Sequence, residues 1–308
     1  MANVIIGIHG LSNKPEPRLL SDWWEKSIRE GLRNRGVENP DFDFEMVNWS
    51  MLLYKTPQHN DPDFKHDSAY LNQPYIEAAE GALKAYTERR RDRIREWVTD
   101  RFAGLAERIG GSRFAALEER IIASKGWEVP FYYDESKTLK DGDGQSQPAR
   151  KVLVGTLTNA IKKRQDDRLM LISHSMGTTI AYDALRDLGR EIPNFKVAQF
   201  VTMGSPLGLT FVKSKIKTER DYDRGRMRVR TPSVVTEKWV NYADRTDPVA
   251  AESHLRGDYG PNPAGIQVVD DLTDNDYTAP DGERIPHKSF GYLRTPELSD
   301  QIKDFLQG

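Results

Sequence analysis

The sequence predicts an α/β protein: a mostly parallel sheet flanked by helices, interrupted by one helical insertion. Three observations carry that prediction. Short apolar runs rich in β-branched residues alternate with stretches of helical periodicity, as in strand–helix–strand units. The first of these runs, Val4 to Ile8, is apolar as a buried strand is. One of them, Leu169-Met170-Leu171-Ile172, ends in Ser173-His174-Ser175-Met176-Gly177 directly before a helical stretch.

The elements follow in order. Val4 to Ile8 is a short apolar run and reads as a buried strand. Leu19 to Leu32 has helical spacing, with Ser21 or Asp22 as early caps. Phe42 to Trp49 alternates as a second strand. Ala149 to Arg164 is a helix with Val152, Leu153, Leu157, Ala160 and Ile161 on one face. Arg168 to His174 is the next strand, and Thr178 to Leu185 lies in the helix after it. Phe195 to Met203 is a strand ending in Gly204-Ser205-Pro206. Trp239 to Ala243 and Ile266 to Val269 are further strands, and Gln301 to Leu306 is a closing helix.

Residues 55–148 break the alternation and hold no convincing strand. Leu83, Tyr86, Ile94, Trp97, Val98, Phe102, Leu105 and Ile109 recur at helical spacing. Gly110-Gly111 ends that helix, and Ser112 caps a second one bearing Phe114, Leu117 and Ile121. Residues 141–148, Asp-Gly-Asp-Gly-Gln-Ser-Gln-Pro, read as a polar linker or exposed loop. The expected division is a core of residues 1–54 and 149–308 with a cap or lid at 55–148; a separate interaction module is the alternative. The run Arg89-Arg90-Arg91-Asp92-Arg93-Ile94-Arg95 reads as a solvated helix face interleaved with acids, rather than a patch for an anionic membrane surface or an acidic partner.

Composition narrows the function. A formal charge of −2 gives no reason to expect a nucleic-acid partner. The absence of cysteine excludes disulfides, thiolate metal sites and cysteine nucleophiles, and it fits a reducing compartment. The first residues lack a basic n-region, and no run approaches the ~18 apolar residues that span a bilayer. A cytoplasmic protein is the expectation.

The pentapeptide carries the chemistry. A strand, a tight turn holding a serine and then a helix form a nucleophile elbow, which lifts the hydroxyl clear of the sheet. Ser173 stands where the usual G-x-S-x-G pattern has glycine; a small residue still suits the crowded turn. Serine needs a base to take its proton, and the base needs an acid to orient it. With an elbow serine, acid and then base come later in the chain. Asp247 lies just after the strand at 239–243, and Asp244 is its rival. His287 lies beyond the last strand and His254 before it, so His287 is the expected base. Met176 N–H, after the nucleophile, is one oxyanion donor. The strand end Ile8-His9-Gly10-Leu11 supplies the other at Leu11, with His9 shaping the loop rather than acting as base or metal ligand.

Taken together, His9-Gly10-Leu11, the Ser175 elbow, Met203-Gly204-Ser205-Pro206, Asp247-Pro248-Val249 and the late His287 resemble the α/β-hydrolase superfamily, of the serine esterase and lipase type. The resemblance covers the core and not the insertion. It implies the α/β-hydrolase fold, an acyl-enzyme mechanism on an ester, and no metal or organic cofactor. It leaves open acyl transfer or thioester cleavage by the same residues, and a non-catalytic scaffold of the same fold. The expected partner is a small acyl ester. Trp23, Trp24, Trp49, Tyr54, Phe131 and Tyr132 are candidates to line an acyl pocket, although core packing suits most of them.

Overall fold

The computed structural model describes residues 2–61, 63, 65–67, 69–79, 86, 128–216, 229–250 and 253–308. Along the chain come β1 (Asn3–Ile8), α1 (Pro17–Asn34), β2 (Asp43–Val47), α2 (Glu128–Tyr133), β3 (Thr138–Lys140), β4 (Ser146–Pro148), α3 (Ala149–Lys163) and β5 (Arg168–His174). Then follow α4 (Met176–Glu191), β6 (Val197–Met203), β7 (Val229–Arg230), β8 (Val235–Asp244), β9 (Tyr259–Gly260), β10 (Val269–Thr273), α5 (Ser289–Leu293) and α6 (Pro296–Gln307). Among them β10-β8-β6-β5-β1-β2 form one sheet in that order, every pair parallel.

Side-chain alternation on β1 shows how the sheet is covered. Val4, Ile6 and Ile8 pack into one core with Leu157 and Ile161 of α3 and Ile180 and Leu185 of α4. Ile5 points to the other face and packs with Trp24 and Ile28 of α1, Phe290 of α5 and Ile302 of α6. The period of two along a fully buried strand therefore feeds two cores at once. Each such side chain contributes about 1.5–3 kcal/mol on burial.

The strand order also locates a crevice. From β1 the chain steps to β2 on one side, then returns to β5, β6, β8 and β10 on the other. The order reverses between β1 and β5, and ligand crevices in open α/β sheets lie at the carboxyl ends of such a pair.

Several expectations are corrected. Helix α1 begins at Pro17 behind Glu16, with no side-chain cap, because proline is already set for the first helical position. Ser21 and Asp22 thus lie inside the helix, and Asp22 pairs with Lys26 at 2.7 Å. The last strand is Val269–Thr273 rather than 266–269. Asn262 Oδ1 accepts the N–H groups of Ala264 and Ile266 at 3.0 Å each, which curls 262–266 into a loop. The stretch 141–148 is not all loop, since β3 and β4 pair as a hairpin across it. Asp141 Oδ1 accepts from Asp143 N at 3.1 Å and Gln145 N at 2.8 Å, and Gly144 takes φ +76°. The closing helix starts at Pro296, and the short α5 before it was not anticipated.

Of the insertion, residues 55–61, 63, 65–67, 69–79, 86 and 128–148 are described. The other apolar positions named from 83 to 121, the Gly110-Gly111 break, the Ser112 cap and the 89–95 basic run lie outside the described residues. Tyr86 is buried, with its hydroxyl 2.7 Å from Thr273 Oγ1 and donating to Glu297. No helix of the described residues is long and apolar enough to cross a membrane.

Candidate active site

Ser175 sits at the turn between β5 and α4 with φ +54° and ψ −131°. A non-glycine residue in that region is strained and persists only where its surroundings impose it. Three contacts impose it here. Ser175 N–H donates to Met203 O at 3.0 Å. Ser173 Oγ–H donates to Val201 O at 2.7 Å, so the serine that replaces a glycine is buried with its hydroxyl satisfied. A Cβ on Gly177 would stand 2.5 Å from His9 O and 2.8 Å from Ile8 O, so only glycine lets α4 start this close to β1.

The structure brings Ser175, His287 and Asp247 together. His287 Nε2 lies 2.9 Å from Ser175 Oγ. Its Nδ1 lies 2.9 and 2.8 Å from the two oxygens of Asp247. A carboxylate on Nδ1 keeps the proton there and leaves Nε2 to accept from the serine. Asp247 is fully buried in the loop after β8. It also accepts from Val249 N at 2.9 Å, Ala250 N at 3.4 Å and Tyr292 Oη at 2.8 Å. The Met203-Gly204 turn makes room for this pair: Gly204 has φ +54°, and a Cβ there would stand 2.8 Å from Asp247 Oδ2 and 3.1 Å from His287 Nδ1.

The rival residues are elsewhere. Asp244 accepts from Thr246 N and Oγ1 at 2.7 Å each, from Asn275 N at 2.8 Å and from Arg284 Nη2 at 3.0 Å, an architectural knot at the end of β8. His254 is exposed and has Ser253 Oγ 3.3 Å from its Nδ1.

Beside Ser175, Met176 opens α4, so its N–H has no acceptor within the helix. Leu11 leaves β1 on a loop that crosses Ser175 closely: a Cβ on Gly10 would stand 2.5 Å from Ser175 Cβ and 3.0 Å from Oγ. Lys14 gathers this loop by donating to the carbonyls of Leu11, Ser12 (2.8 Å) and Asn13 (3.4 Å). His9 is buried at its base, stacked on Trp49 with centroids 5.0 Å apart, and its Nδ1–H donates to Gly10 O at 2.7 Å. Burial and then the Lys14 charge lower its pKa to about 3, so it stays neutral.

Two residues that sequence reasoning left unassigned complete the assembly. Tyr292 donates to Asp247 and accepts from Asp244 N at 2.9 Å. Burial and the Asp247 charge push its phenol well up, which keeps the proton on it. His174 is buried against His287, and burial, followed by the His287 charge, holds its pKa well below the usual histidine value. No spacing in the sequence signals either contact, because both partners arrive from α5 and its approach.

Ser175, His287, Leu11 and Met176 all line one cavity of about 190 Å³. Leu209, Phe211, Val212 and Val249 give it an apolar wall, and Asn13, Gln58, Asn72 and Gln73 add amide groups. Of the six aromatic candidates only Trp23 and Trp24 line it. Trp49 and Tyr132 are core residues, and Tyr54 and Phe131 are not among its lining. Among the described residues no group of His, Asp and Glu side chains could hold a metal ion.

No family model matches the chain, and no curated protein matches it. Two solved structures are similar in shape. One is a proposed hydrolase of the alpha/beta superfamily from Xanthomonas campestris pv. campestris, at 10% identity and TM-score 0.34 over 99% of each chain. The other is alpha/beta hydrolase domain-containing protein 10 from mouse, at 14% identity and TM-score 0.29, covering 55% of this chain and 76% of that one. A parallel six-stranded sheet with helices on both faces and a serine at the turn after β5 is the α/β-hydrolase architecture that the sequence resemblance implies.

Proposed function

We propose that the protein is a serine hydrolase that cleaves a carboxylic ester through an acyl-enzyme on Ser175. One observation carries the reading: a serine at φ +54° whose Oγ is 2.9 Å from an imidazole, itself held by a buried carboxylate at 2.8 Å. His287 takes the Ser175 proton as Oγ attacks the acyl carbonyl. Asp247 stabilises the imidazolium and holds its tautomer. The N–H groups of Leu11 and Met176 receive the oxyanion, a contribution of about 3–4 kcal/mol per donor in comparable sites. His287 then protonates the leaving alcohol, and water cleaves the acyl-enzyme by the same route.

The apolar wall of Leu209, Phe211, Val212 and Val249 suits an apolar acyl chain. The insertion acts as a cap. Gln58, Leu71, Asn72 and Gln73, from its first part, line the same cavity, which supports that role. The test is hydrolysis of a chromogenic ester series of increasing acyl length by the parent and by Ser175→Ala. Turnover by the parent that vanishes in the variant is expected. Equal turnover by both, or none by the parent across the series, defeats the proposal.

A further inference from the structure

The proposed mechanism leaves unused His174, the buried imidazole next to the nucleophile. His174 Nε2 lies 2.8 Å from the main-chain oxygen of His287. A carbonyl can only accept, so Nε2 carries the proton and donates it. The two imidazoles lie face to face at an angle, with centroids 4.8 Å apart and planes 38° apart. The His174 ring also stands near Tyr292, centroids 6.2 Å apart, and Tyr292 is the residue that donates to Asp247. Its Nδ1 faces Gly10: a Cβ there would stand 3.2 Å from it.

These contacts close a short circuit. The Ser175 backbone continues directly into His174; the His174 ring bonds the His287 carbonyl; the His287 ring returns to Ser175 Oγ at 2.9 Å. His287 sits on an irregular segment ahead of α5, with no sheet ladder to fix it. We infer that His174 is a positioning residue for the base, its Nε2–H holding the His287 main chain on the same backbone segment that carries the nucleophile. The inference rests on the proposed serine mechanism.

Its physical logic is one of registration. A base must stand within hydrogen-bond reach of its nucleophile, and a displacement of about 1 Å costs on the order of 10²-fold in rate. Tying the base loop to residue 174 removes the freedom of two separate elements to drift apart. The charged and titratable groups facing His174 are His287, Lys14 and Lys288, with Tyr292 beside it. All of these are neutral or positive, so a neutral His174 adds no charge beside the imidazolium that forms on His287.

The experiment compares the second-order rate of Ser175 labelling by a fluorophosphonate, and kcat and KM on one ester, in the parent, His174→Phe and His174→Gln. Phenylalanine keeps the ring and removes the donor; glutamine restores an amide donor. His174→Phe is expected to label at least about tenfold slower and to lose kcat with KM nearly unchanged, toward the ~10²-fold of a misplaced group. His174→Gln is expected to recover most of that loss. Labelling of His174→Phe within twofold of the parent overturns the inference, as does a His174→Gln protein of parental stability that is as slow as His174→Phe. A second measurement needs no variant: nitrogen-resolved NMR of the wild-type protein at pH 7 is expected to show His174 neutral with its proton on Nε2, and a proton on Nδ1 alone refutes the hydrogen bond. Failure of the parent to label at all would instead defeat the serine mechanism, so the two failures are distinct.

Discussion

Gly177→Ala tests the elbow geometry with a single methyl group. Its Cβ would meet His9 O at 2.5 Å and Ile8 O at 2.8 Å, both backbone atoms at the end of β1. An ordinary carbon–oxygen contact needs more than about 3.2 Å, so β1 and the start of α4 must part by several tenths of an ångström. Neither partner is a flexible side chain, and the cost falls in the overpacking range of about 1–3 kcal/mol. The separation also has a functional direction. Leu11 follows β1 and Met176 begins α4, so moving the two apart widens the proposed oxyanion site. Losing one donor there costs about 10²–10³-fold in kcat. The expected result is a kcat at least about tenfold lower, little change in KM, and a loss of about 1–3 kcal/mol in urea unfolding. Gly155→Ala is the control. Nothing lies within 4 Å of its Cβ, and it sits inside α3, so it should gain about 0.5–1 kcal/mol and keep full turnover. Gly177→Ala with parental kcat and a stability change below about 0.5 kcal/mol would refute the reasoning.

Other outcomes follow from the same contacts. Asp247→Asn should lower kcat by about 10⁴-fold with little change in KM, since the wrong imidazole tautomer is then favoured; steady-state kinetics check this. Tyr292→Phe removes the buried hydroxyl that accepts from Asp244 N–H and donates to Asp247, so chemical denaturation should show a loss of about 1–3 kcal/mol. Acidification should also weaken the fold. The folded pKa of His9 is about 3 against 6.5 unfolded, and His174 is lowered in the same sense, so the unfolded chain binds the protons first. Stability is therefore full above about pH 6.5 and falls as pH drops toward 3, by up to about 1.4 kcal/mol per pH unit for each histidine. Urea unfolding at pH 6.5, 5.5 and 4.5 measures the slope, and a flat profile contradicts the burial of both rings as neutral species.

Much of this architecture is legible in the sequence because strand signals there are local. Val4–Ile8, Arg168–His174 and Phe195–Met203 announce themselves by mainly apolar runs, and their observed limits differ by at most two residues. The edge strand Val269–Thr273 does not, since Asp270 and Asp271 interrupt its apolar pattern and Val269 is exposed. The hairpin at 138–148 is set by turn chemistry at Asp141 and Gly144 with little apolar content. At the site, chain order suffices to nominate Ser175, Asp247 and His287, which meet within hydrogen-bond distance. The contacts of Tyr292 and His174 are not legible, because they depend on where α5 docks over a hundred residues after the elbow. The role of Gly204 is likewise visible only once Asp247 and His287 stand against it.

The central claim is that Ser175, activated by His287, is the nucleophile. Site-resolved mass spectrometry of the protein after reaction with a fluorophosphonate tests it most directly, alongside Ser175→Ala, His287→Ala and His254→Ala. The expected result is one adduct on Ser175 in the parent and in His254→Ala, and none in the other two. An unmodified Ser175 in the parent, or full modification in His287→Ala with loss in His254→Ala, would contradict it.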